Sequence, residues 1–128
     1  MRIIVTLLLI VSACIVSSCK KDKCEAGLGG QLLITAFPKH HGKPTIPYWA
    51  YVKFNTQDLP GTSPSDFDLV IAGDTTEDHI ELENLKCGEY FIYMIAFDPA
   101  INDTVVGGIP FSTAQETGEV VTDIPVVE

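Results

Sequence analysis

Glu89-Tyr90-Phe91-Ile92-Tyr93-Met94-Ile95-Ala96-Phe97 is the stretch on which the fold turns. After Glu89 every residue is apolar or aromatic, so no period separates a buried side from a wet one. The aromatic content, with Gly88 before the run and Pro99 after it, favours a strand over a short helix. A strand that is apolar on both faces belongs in the middle of a sheet, one face on the core and the other covered in part.

On both sides of this run, short strand-like stretches alternate with turn residues. Residues 31–37 read as a strand that Pro38 ends, because proline supplies no ladder donor. Residues 46–54 place Ile46, Tyr48, Ala50, Val52 and Phe54 on one face and Pro47, Trp49, Tyr51 and Lys53 on the other. Residues 67–71 and 79–85 follow, with Ile80 and Leu82 inward and Leu85 joining them if the strand bends. In the last candidates, 104–111 and 118–127, Gly107-Gly108 suggest a bulge and Pro110 an edge or a break. No stretch has the length and periodicity of a substantial helix; residues 75–78 make at most one turn. About seven short strands separated by turn signals predict an all-β protein, an antiparallel β-sandwich.

The chain has 128 residues, with 8 Lys+Arg against 17 Asp+Glu. That length holds one small domain. The acidic balance disfavours nucleic acid and anionic lipid headgroups as partners.

The N-terminus carries Arg2, an apolar run from Ile3, and small residues ahead of Cys19, followed by Lys20-Lys21-Asp22-Lys23. This is the layout of a secretion signal. The uncharged run of residues 3–18 is about 24 Å long if helical, short of a ~30 Å hydrocarbon core. Val16-Ser17-Ser18-Cys19 resembles the bacterial lipoprotein signal, in which the cysteine is acylated and becomes the new N-terminus. The resemblance implies a signal peptide over 1–18, a lipid-bearing Cys19 with palmitate-class chains, a short tether over 19–28, and a single domain over 29–128. It further implies a place in the bacterial cell envelope, periplasm-facing or surface-exposed, with the membrane as a partner through the lipid. Cys24 and Cys87 remain as an even pair in an oxidising compartment and are the candidate disulfide.

Ile80-Glu81-Leu82-Glu83-Asn84-Leu85-Lys86-Cys87-Gly88-Glu89-Tyr90 is similar to the end of transthyretin-like modules, which include carboxypeptidase regulatory-like domains. There a strand ends in Leu, a turn supplies Gly, and Tyr begins the next strand, as do Leu85, Gly88 and Tyr90 here. The resemblance implies a transthyretin-like or immunoglobulin-like sandwich over residues 29–127.

Chemical motifs are few. Asp66, Asp68, Asp74, Glu77 and Asp78 cluster around one short strand and are weak calcium candidates, although no EF-hand spacing occurs. His40-His41 in a turn and His79 at a strand start lack an HExxH or CxxC context, so they read as solvent-facing loop residues and no metal is assigned. Ser63, Ser65 and Ser112 lack a nucleophile elbow, and no cofactor motif is present. Trp49 and Tyr51, extended by Phe91 and Tyr93, are the candidate aromatic binding platform for a protein or polysaccharide; the competing reading packs Trp49 and Tyr51 against the core or beneath a loop and Phe91 and Tyr93 in the core of a central strand. The resulting expectation is a non-catalytic, membrane-tethered module that binds or supports another envelope macromolecule. A carbohydrate-binding module and an accessory subunit or inhibitor of an envelope enzyme are the alternatives.

Overall fold

Eight strands form two four-stranded sheets in the computed structural model, which describes residues 24–128. The signal peptide read over 1–18 and the lipid-bearing Cys19 lie outside the described residues. The strands are β1 (Leu28–His40), β2 (Lys43–Pro44), β3 (Ile46–Phe54), β4 (Leu69–Ala72), β5 (Ile80–Leu85), β6 (Gly88–Asp98), β7 (Asp103–Thr113) and β8 (Thr117–Pro125). The fold is the expected all-β sandwich, consistent with the transthyretin-like and immunoglobulin-like plan. β2, a two-residue hairpin partner, raises the strand count above seven.

The second sheet has the order β4-β3-β6-β7 and is antiparallel throughout. In the first sheet β5 and then β2 flank one side of β1, both antiparallel, and β8 lies along the other side. β8 runs parallel to β1, from Gln31↔Thr117 to Lys39↔Pro125, against the antiparallel expectation. The reason is connectivity. β7 ends where β1 begins, and residues 114–116 cross to the other sheet, so β8 must set out in the direction of β1.

β6 occupies the predicted central place. Its inward Tyr90, Ile92, Met94 and Ala96 are fully buried against Leu32, Ile34 and Leu82 of the first sheet. Leu85 is buried as well, because Asn84 adopts φ 58° and both Leu28 and Leu32 register with Leu85. That irregularity advances the alternation by one residue and turns Leu85 inward.

The Leu85, Gly88 and Tyr90 pattern has a physical basis here. The Tyr90 hydroxyl donates to the Lys86 carbonyl at 2.6 Å and accepts the Gly27 N–H at 3.1 Å. Burial pushes the phenol pKa up, which keeps it a neutral donor. Gly88 adopts φ 147° and lies so close to the Ala26 backbone that a Cβ would collide with it. Cys24 and Cys87 are joined in a disulfide with Cα atoms 4.9 Å apart. The Lys86 N–H donates to the Gly27 carbonyl at 2.9 Å, and Ala26 is buried. Residues 24–28, expected to be tether, are therefore fastened to the body through Cys24, Ala26 and Gly27, while Glu25 and Leu28 stay exposed.

Four local expectations are corrected. Pro38 does not end the first strand, which continues to His40. Antiparallel pairing to β5 stops at Ala36 and pairing to β2 starts at Lys39, so the missing donor falls at the change of partner. Gly107 and Gly108 form no bulge, since β6 and β7 pair without a shift from Gly88↔Thr113 to Asp98↔Asp103. Gly107 is needed because the Pro125 carbonyl and Val126 cross directly over it. Tyr48 does not oppose Trp49, because a register shift between Pro47 and Trp49 leaves both rings exposed. The fourth strand is Leu69–Ala72, and Phe67 lies outside it.

Two measurements check the lock at this end of the molecule. Reduction of the disulfide, which closes a separation of 63 residues, lowers unfolding stability by about 4 kcal/mol on the chain-entropy scale, as read by denaturant titration with and without reductant. Tyr90→Phe lowers it by about 2 kcal/mol, because the buried Gly27 N–H loses its acceptor.

Candidate functional site

The outer face of the second sheet is aromatic because alternate residues of β3 and β6 are aromatic on that side. Tyr51 registers with Tyr93, and their ring centroids lie 6.0 Å apart. Phe67, from the β3–β4 connection, lies over both, 5.3 Å from Tyr51 and 6.0 Å from Tyr93. Tyr51, Phe91 and Tyr93 are consequently only 6%, 8% and 8% exposed. Burial, and secondarily the neighbouring Tyr51, pushes the Tyr93 phenol pKa up. The four-residue platform expected from sequence is therefore not an open surface. Of its members only Trp49, 42% exposed, faces solvent. It lies beside Tyr48, which stacks on Phe97 at 6.1 Å, and near Val70 of the edge strand β4.

The cover over the aromatics is held by two of the acidic residues considered for calcium. The Asp68 carboxylate accepts the Phe54 N–H at 2.8 Å, and the Asp68 N–H donates to the Val52 carbonyl at 2.9 Å. Lys53 Nζ lies 3.4 Å from Asp68 Oδ1. Asp66 closes the 3-10 turn Pro64–Asp66 by accepting the Ser63 N–H at 3.1 Å and donating its own N–H to the Ser63 carbonyl at 2.9 Å. These bonds set Phe67, the residue between the two aspartates, over Tyr51 and Tyr93.

The remaining carboxylates lie at the other end of β4. Asp74 accepts the Thr76 N–H at 2.9 Å and the Thr76 hydroxyl at 2.7 Å, and the backbone bond first of all holds its pKa below the usual carboxylate range. Asp78 lies 3.0 Å from His79 Nδ1, and that hydrogen bond is the main cause of the raised His79 pKa. Glu77, Asp78 and His79 come together, whereas Asp66 and Asp68 do not join them. Calcium takes six to eight oxygen ligands, and the five carboxylates do not converge on one point.

His40 departs from its reading as an exposed loop residue. As the last residue of β1 it is 4% exposed, and its Nδ1 lies 2.7 Å from Asp98 Oδ2. The His40 hydrogen bond, followed by the Ala100 N–H, holds the Asp98 carboxyl below its ordinary range. The buried histidine follows from the extension of β1 past Pro38. The lid had a sequence signal in Phe67, the one aromatic residue at the end of a long polar connection.

No family model, curated protein or solved structure matches the chain. The two-sheet sandwich is consistent with a non-catalytic binding scaffold.

The lid and the exposed indole are separable by mutation. Phe67→Ala uncovers Tyr51 and Tyr93 and costs about 2 kcal/mol, below the range for a fully buried Phe because Phe67 is only half-buried. The near-ultraviolet circular dichroism of the tyrosines changes with it. Trp49→Ala changes stability by less than about 1 kcal/mol, and acrylamide quenches the native Trp49 emission.

Proposed function

We propose that the chain is a non-catalytic β-sandwich lipoprotein, tethered through Cys19 to a membrane of the bacterial envelope, that binds another envelope macromolecule. What supports this reading is the Val16-Ser17-Ser18-Cys19 signal, placed a few residues ahead of the disulfide end of the sandwich. Cys24, Cys87 and the start of β1 lie at one end, and Cys24 follows Cys19 by five residues. A fully extended connection of that length reaches about 17 Å, so a lipid on Cys19 holds the disulfide end close to the membrane. The opposite end carries the β1–β2 turn, the 73–79 connection and the β6–β7 turn, and such a tether leaves that end free for a partner.

The exposed Trp49, Tyr48 and Val70 lie toward that far end, beside a β4 edge only four residues long. An apolar strip beside an unpaired strand edge suits a protein partner, which can bury the rings and extend the sheet. The Trp49–Tyr51 pair expected to stack on a sugar is not open on both rings, since Tyr51 lies under Phe67.

The reading is tested by mass spectrometry of the protein from its bacterial host, where the N-terminal peptide begins at an acylated Cys19. Cys19→Ser leaves that peptide unacylated and releases the protein from washed membranes. Photocrosslinking from position 48 in the acylated protein captures one envelope protein, and Trp49→Ala reduces that capture severalfold. An unmodified Cys19 inside an intact chain overturns the tether, and capture that is indifferent to Trp49 overturns the contact surface.

A further inference from the structure

We infer that His40, His41 and Glu128 form a binding site for one divalent first-row transition-metal ion of the zinc class, at the end of the sandwich far from the disulfide. One ligand atom from each lies within 4.8 Å of the other two. The inference does not depend on the tether or on the partner.

The site is built around a buried imidazole. With His40 4% exposed and its Nδ1 engaged by Asp98, Nε2 is the only nitrogen left to bind. Nε2 makes no hydrogen bond among the described residues; the nearest carboxylate oxygen, Glu128 Oε1, is 3.9 Å away. A carboxylate on one imidazole nitrogen with the other turned to a ligand is how metal-binding histidines are oriented and made more basic. The Asp98 pair fixes Nδ1 and turns Nε2 outward, where it meets solvent and is open to a ligand.

His41 should point away from His40, because successive side chains of a strand alternate between faces. It does not, because β1 and β2 are joined by a two-residue turn with φ 50° at His41 and 75° at Gly42. This is a type I′ turn, whose first central position favours Asn, Asp or Gly. The left-handed backbone at His41 brings its ring to 4.1 Å from that of His40. A residue poorly suited to the turn is thus the one that completes the histidine pair.

Glu128 is positioned by the chain before it. Val126 is buried and donates its N–H to the Lys39 carbonyl at 3.0 Å. Val127 exchanges two 2.9 Å hydrogen bonds with Val106. These bonds carry the segment from the first sheet to the edge of the second and leave Glu128 beside the histidines.

Two imidazoles and a carboxylate suit zinc, copper or nickel rather than calcium or magnesium, which prefer all-oxygen shells. Tetrahedral bonds of about 2.0–2.1 Å place donor atoms about 3.3 Å apart. The exposed side chains of His41 and Glu128 can close to that spacing around the fixed His40. Three protein ligands leave a fourth position for water or for a group from a partner.

The probe is Zn2+ alone, titrated calorimetrically into the full chain in detergent, without a polyhistidine tag, the disulfide intact and the free thiols alkylated. One equivalent binds. His41→Asn and Glu128→Gln each weaken binding at least tenfold, and Asp98→Asn weakens it roughly 10–100-fold. His41→Asn keeps or raises the melting temperature, because Asn suits the turn, so its loss of binding is not loss of fold. His79→Ala leaves the affinity unchanged. Absence of saturable one-to-one uptake overturns the site, as does wild-type affinity in either His41→Asn or Glu128→Gln, or a loss of binding that follows His79→Ala.

Discussion

The burial of β6 on both faces is the constraint on which the rest of the structure depends. Its inward side chains need an opposing sheet, and β1, β5 and β8 provide one. Its outward Phe91 and Tyr93 would leave a large apolar surface in water without a second cover. Phe67 from the β3–β4 connection and Val106 of β7 supply that cover, with Ile95 of β6 itself packed beside them. The long polar connection after β3 is therefore a structural part, closed by Asp66 and Asp68 so that one phenylalanine is set in place. Carboxylates that look like a cation site in sequence act here as acceptors for backbone N–H groups, the usual way for polar side chains to order a loop.

The two ends of the sandwich are finished by different means. At the disulfide end, a covalent bond, a buried phenol and a glycine fix residues 24–27 against the β5–β6 turn. At the far end the closure is noncovalent, since the segment after β8 crosses from Lys39 to Val106 by backbone hydrogen bonds over Gly107. Strand β1 links the ends, and to span them it changes antiparallel partner at Pro38. Each closure orders a short segment by attaching it to a long strand whose entropy cost is already met by the core.

Much of the fold was legible in the sequence, and the misreadings have identifiable physical origins. β6 was legible because an uninterrupted apolar run bounded by Gly88 and Pro99 has few other solutions in a chain without helical periodicity. Pro38 was misread because the rule against proline concerns a missing donor, and sequence does not reveal that no strand needs that donor there. Gly107-Gly108 was misread because a bulge and a close crossing both call for the absence of a Cβ. For the aromatic platform, period two located Tyr51, Phe91 and Tyr93 on one side of a sheet, but only three-dimensional packing shows Phe67 above them. The bulge between Pro47 and Trp49 left no sequence signal, so Tyr48 was assigned to the wrong face.

The histidine pair shows how such local errors propagate into a site. Ending the first strand at Pro38 places His40 in a flexible turn, where a histidine is solvated and free to rotate. Carrying the strand two residues further buries the ring, selects Asp98 as its partner and fixes which nitrogen is available. The same extension shortens the turn to two residues and so forces His41 into the left-handed region, against the alternation that would separate neighbouring side chains. Adjacent histidines on a regular strand cannot share a ligand. Here they lie together because proline in β1 stands where no strand requires its donor.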